Sequence, residues 1–253
     1  MKKNLPHPIR PSALRSLASL LILPALCVSL NASTTVTWDF EDSNTPRQQG
    51  IVSGDDASLI TADDAEIGPG LVGGFSGTTK STFAQTISTT DSEAGAVSGD
   101  DYFEFSFSLE QNAIDAGYTF NVESLSFLVG ASTGANNHGT FTITQFLRTN
   151  AESTDYTTTL GSDSVTRLGT PLQTTIWADN PVNIVTSSNP DFSGLTSLTF
   201  RIYQYDDKNA NDLWGRTDYV IADITVIPEP TTFGLLLALG SLGLVIARRA
   251  RRT

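Results

Sequence analysis

The stretch "DYFEFSFSL" (101–109) puts Phe103, Phe105, Phe107 and Leu109 at alternate positions, with Glu104, Ser106 and Ser108 between them. Successive side chains of a strand point to opposite faces, so this segment has one apolar face and one wet face. "GTFTITQFL" (139–147) repeats the habit, with Phe141, Ile143 and Gln145 on one side. Weaker strand candidates are "TTVTWDF" (34–40), "STFAQTIS" (81–88), "DYTTTL" (155–160), "PVNIVTS" (181–187) and "DYVIADITVI" (218–227). Their threonines favour strands through β-branching. Turn-forming clusters separate them, among them "SGDD" (53–56), "IGPG" (67–70), "TGANNHG" (133–139) and "DDKNAND" (206–212). No amphipathic helix of ten residues or more is legible between 33 and 227. "VESLSFLV" (122–129) and "LTSLTFRI" (195–202) echo one another, as two core strands with similar surroundings would. The expected fold is all-β: a single jelly-roll-like antiparallel β-sandwich of about eight to twelve strands.

Charge narrows the function. Between 33 and 227, seven Lys and Arg residues stand against 26 Asp and Glu. So acidic a surface repels phosphate backbones and anionic lipid, which argues against nucleic acid as a partner. It suits solubility outside the cell and contact with divalent cations.

The two ends differ from the middle. Lys2, Lys3, Arg10 and Arg15 precede an apolar run from Leu17 to Leu30, the layout of a secretory signal peptide, with Ala32 as its expected last residue. Cys27 is the only cysteine, so a mature chain beginning at residue 33 has neither disulfide nor Cys-based metal site. At the other end, "TTFGLLLALGSLGLVIA" (231–247) carries no charge. As a helix it would span about 25 Å, within the range of a transmembrane segment. Its nine Leu, Ile, Val and Phe residues contribute roughly −3 to −5 kcal/mol to insertion. Arg248, Arg249, Arg251 and Arg252 follow, and the positive-inside rule keeps them cytoplasmic. Leader and tail therefore predict one topology, with the domain across the membrane from the arginines.

The tripeptide Pro228-Glu229-Pro230, the short glycine-punctuated span and the terminal arginines together resemble the PEP-CTERM sorting signal of exopolysaccharide-producing Gram-negative bacteria. The resemblance covers residues 228 to 252. It implies an inner-membrane intermediate processed near the tripeptide by an exosortase, a membrane transpeptidase, with Pro228, Glu229 and Pro230 as the recognition element. Two prolines would keep that linker extended and non-helical. The expected organisation is a signal peptide over 1–32, an exported domain over 33–227 and a sorting signal over 228–253.

Catalytic chemistry is poorly represented in the domain. His138 stands alone, no G-x-S-x-G elbow supports a nucleophile, and "GPGLVGG" (68–74) lacks the Lys-Ser/Thr of a phosphate loop. Glu104, Glu110, Asp218 and Asp223 are the carboxylates a glycosidase pair would draw on, but acids on the wet face of a strand are expected in so acidic a chain. Binding fits better. Asp207, Asn209 and Asn211 alternate as oxygen ligands do in a calcium loop, although Asp212 and Asp218 replace the glycine and glutamate of an EF-hand. Trp214, Tyr203, Tyr205 and Trp177 could stack on sugar rings, with Arg216 or Asp206 bonding hydroxyls. The expected function is a non-enzymatic surface or matrix protein, structural or adhesive, associated with extracellular polysaccharide and needing no cofactor. The alternatives are a carbohydrate-binding module with a calcium-stabilised loop, and an extracellular glycan hydrolase.

Overall fold

The computed structural model describes residues 33–40, 49–76, 81–86, 91–133, 139–151, 156–168, 175–208 and 213–228. The signal-peptide, transmembrane and basic-tail expectations, with His138, Asn209, Asn211, Glu229 and Pro230, lie outside these residues. Among the described residues, no helix is long and apolar enough to cross a membrane.

The first half of the domain carries β1 (Ser33–Trp38), β2 (Ile51–Gly54), β3 (Ile60–Ala62), β4 (Glu66–Ile67), β5 (Leu71–Ser76) and β6 (Ser81–Thr86). A short helix α1 (Glu93–Gly99) leads into β7 (Tyr102–Leu109), and α2 (Gln111–Asp115) leads into the long β8 (Tyr118–Thr133). Then come β9 (Phe141–Thr149), β10 (Gly161–Arg167), β11 (Ile176–Trp177), β12 (Val182–Val185), β13 (Ser197–Asp206) and β14 (Leu213–Pro228).

These strands form two antiparallel sheets. One has the order β11-β8-β14-β1-β2, with β12 also on β8 and the β5–β6 hairpin on β14. The other has the order β10-β9-β13-β7-β3, with β4 on β7. The two echoing segments fall in β8 and β13, one core strand in each sheet, where Leu125, Phe127, Leu198 and Phe200 are all buried. "DYTTTL" departs from expectation: its described residues, 156–160, are not a strand. Tyr156 takes a left-handed φ of 55° and donates its N–H to Thr149 O, so the segment closes the turn between β9 and β10.

The alternation in β7 is realised residue by residue, with Phe103, Phe105, Phe107 and Leu109 buried. Trp38 of β1 completes this layer. Its ring stands edge-on to Phe105 at 5.4 Å and to Phe200 at 5.8 Å, and its Nε1 donates to Asp63 O at 3.0 Å. Edge-to-face pairs add about 0.5–1.5 kcal/mol each beyond area burial. The indole thus fills the core without stranding its polar atom.

One end of the core is polar. Gln145, on the Phe141 face as expected, donates to Gln204 Oε1 at 3.3 Å and accepts from Thr217 Oγ1 at 3.1 Å. Gln204 donates onward to Ala84 O at 2.9 Å, tying β9, β13, β14 and β6 together. Buried amides are tolerated when partnered in this way. Gly215 makes the room, because a Cβ there would lie 2.1 Å from Gln204 Oε1.

Candidate functional site

The end of β14 is the first place to look, because the expected sorting element starts there. The strand has two register shifts, between Asp218 and Ile221 and between Asp223 and Ile224. At the first, Tyr219 adopts φ 48° and donates its N–H to Asp218 Oδ1. From Ile221 to Thr225 β14 lies between β8 and β1, and Asp223 clips all three strands by accepting from Thr35 Oγ1 and Ser124 Oγ, both at 2.9 Å. The strand does not stop there. Val226 pairs with Phe120, Ile227 with Thr119 and Pro228 with Tyr118. Val226 is 3% exposed, and Phe120 is itself bridged to Leu195 on its far side. The first proline of the tripeptide is therefore the last residue of a central strand, with no linker between. Ser33 pairs with Thr225, so β1 begins beside the place where β14 finishes.

The aromatic residues separate into two groups. Leu213, Gly215 and Thr217 face the core, so Trp214 and Arg216 lie on the outer face of the first sheet. Trp177 joins them: it and Arg216 both stand opposite Gly130, and a Cβ on Gly130 would lie 2.5 Å from Trp177 Cε3. The indole rests on bare backbone. Arg216 Nε donates to Ser132 Oγ at 2.7 Å, Trp214 pairs with Ser132, and burial lowers the Arg216 pKa below its ordinary value.

Tyr203 and Tyr205 instead lie on the outer face of the second sheet, so the four expected ligand-binding residues do not form one site. Tyr203 is 2% exposed, stacked on Phe146 at 5.2 Å and packed with Ala96 of α1. Neither face of that ring is open to a sugar. The helix is fixed by Ser92 Oγ, which accepts from Gly95 N, and by Glu93, which meets Arg148 at 2.6 Å and accepts from Thr159. Those hydrogen bonds, Thr159 first and then Arg148, hold the Glu93 carboxyl below its ordinary value. Nearby, Arg201 lies over the rings of Tyr102 and Tyr156 at 4.1 and 4.0 Å and bonds Glu104 at 2.7 Å. Burial raises the Tyr102 phenol.

Glu110 and Asp207 also have structural partners. Glu110 accepts from Thr61, and Asp207 accepts from Thr142 N at 2.8 Å, pinning the end of β13 to β9. Among the described residues, no group of three or more His, Cys, Asp or Glu is placed to hold a metal ion. An open groove of about 430 Å³, where Asp63, Asp64 and Glu66 approach Glu104, is not legible in the sequence. It depends on the Glu66–Glu104 pairing of β4 with β7, which no local pattern announces.

The tail matches a known protein-family model. Residues 226–252 match the family model of the PEP-CTERM protein-sorting motif. The described domain is an all-β protein of two antiparallel sheets. The chain carries the PEP-CTERM motif at its C-terminus, which implies export through a membrane-anchored intermediate and processing by an exosortase-type membrane enzyme. No curated protein matches the chain. Among solved structures, an arabinose-bound α-L-arabinofuranosidase aligns at 13% identity and TM-score 0.30, over 76% of this chain and 26% of its own. A Stig cyclase from Fischerella sp. TAU aligns at 11% identity and TM-score 0.24, over 77% of this chain and 98% of its own. Cowpea mosaic virus top component aligns at 6% identity and TM-score 0.20, over 79% and 75%. Likenesses this low carry no argument about activity.

Proposed function

We propose that this is a jelly-roll-like exported protein, held in the inner membrane by residues 231–247 with Arg248, Arg249, Arg251 and Arg252 inside. It is released at Pro228-Glu229-Pro230 to the cell surface or matrix. There it serves without catalysis as a structural or adhesive component associated with exopolysaccharide. The observation behind this reading is the sorting-motif match over 226–252, which continues directly from the last strand of a folded domain. Mass spectrometry of the surface-released protein tests it. A C-terminus near Glu229 supports processing, whereas a chain intact through Arg252 means a permanent anchor.

One observation favours a second reading, as a carbohydrate-binding module. Trp177, Arg216 and Trp214 share an outer sheet face, with the Trp177 ring lying on Gly130. Paired indoles and a guanidinium suit stacking and hydroxyl contacts with sugars. Electrophoresis through gels of soluble polysaccharide tests this face through loss of retention in Trp214→Ala, and the same gels with chelator test the calcium expectation at Asp207, Asn209 and Asn211.

A further inference from the structure

We infer that the processing enzyme must take the end of β14 out of the sheet, so that the fold itself gates release of the protein. This rests on the exosortase reading above and deepens it. The sorting-motif match starts at residue 226, while β14 runs through Pro228. Val226, Ile227 and Pro228 thus belong to both fold and substrate. Enzymes that cut or transfer peptides commonly hold the substrate as an added extended strand, bonded along its backbone. In the folded domain that backbone is already paired with Phe120, Thr119 and Tyr118 of β8, and the Val226 side chain is buried. Enzyme and β8 compete for the same three residues. A folded chain can be cut only through a conformer in which this strand end has opened, and a chain still folding can be cut before the end has closed. The cut replaces a peptide C–N bond with a bond from the same carbonyl carbon to an incoming water or amine, and the tail departs as an amine. Once the tail is gone, the strand end pairs again and hides the new terminus.

A cross-strand staple tests this in the full chain in its own cells. Thr119 and Ile227 are paired neighbours, and such positions have the Cα spacing a disulfide needs. In a Cys27→Ala background, Thr119→Cys with Ile227→Cys supplies the only two thiols. The oxidised pair is expected to slow conversion to the short form at least tenfold, and reductant to restore it. Inserting six Gly/Ser residues between Ile227 and Pro228 should restore conversion with the staple still closed. Val226→Gly, which loosens the strand end, should speed it. Conversion of the closed, linker-free staple at the unstapled rate overturns the inference while leaving the processing reading intact. A wild-type chain that stays full length overturns both.

Discussion

Arg148 Nη2 and Glu93 Oε1 lie 2.6 Å apart, and this contact ties the only turns of α1 to the outer face of the second sheet. Beneath it Ala96 seals Phe146 and Tyr203. Because the Glu93 carboxyl is held below its ordinary value of 4.5, its contribution is complete above that value. The contribution fades as pH falls through the lowered folded value. Protection of the Ala96 and Val97 amides, relative to intrinsic exchange at the same pH, should therefore fall in acid below about pH 4.5, and Glu93→Gln should reproduce the loss at neutral pH. Solvent at the Glu93 side chain, 43% exposed, screens the pair and limits the global cost to about 1 kcal/mol or less. Unchanged exchange in Glu93→Gln would mean that apolar contact alone holds the helix.

Trp38→Ala removes the side chain that two phenylalanines flank edge-on, and should cost about 3–5 kcal/mol in a denaturant titration. Trp38→Phe keeps part of the packing but leaves Asp63 O without its indole donor, so an intermediate loss is expected.

Gly215→Ala drives a methyl into Gln204 and should cost about 1–3 kcal/mol. The loss should be non-additive with Gln204→Ala, which removes the clashing amide. Additive melting shifts in the double variant would show that backbone, not the Gln204 side chain, limits the site.

Tyr203→Ala and Trp214→Ala separate packing from binding. The first opens a cavity under α1 and should lower stability by about 3–5 kcal/mol. The second removes a part-exposed ring and should leave the melt nearly unchanged while weakening retention in a polysaccharide gel. Equal retention of Trp214→Ala and wild type would count against the outer face of the first sheet as the contact.

Much of the architecture was legible because a strand on a core must alternate. β7, β9 and the second half of β14 follow directly from their phenylalanines, isoleucines and valines, and Gln145 was placed correctly by parity alone. α1 was not legible, since seven residues with two glycines show no helical period; its one local signal is Ser92 followed by Glu93, a capping residue with an acid in the first turn. "DYTTTL" reads as a strand because threonine favours extended backbone, yet Tyr156 is spent closing a turn. The aromatic residues expected to bind were misgrouped for a different reason. Alternation puts Tyr203 and Tyr205 on a wet face, but the cover over Tyr203 comes from a helix about a hundred residues upstream, a long-range contact that no window reports. The processing end was the clearest part of the chain, although nothing in the tripeptide disclosed that Pro228 is already woven into the sheet.

The position of β14 also orders events during biosynthesis. Its neighbours, β1 and β8, were made long before it, and they cannot be joined until it arrives. A nascent chain halted anywhere before Leu213 has a sheet with a missing middle. The first sheet is thus completed only when nearly all of the domain has been made. Ribosomes that stall early would therefore yield material for proteases rather than a smaller stable product.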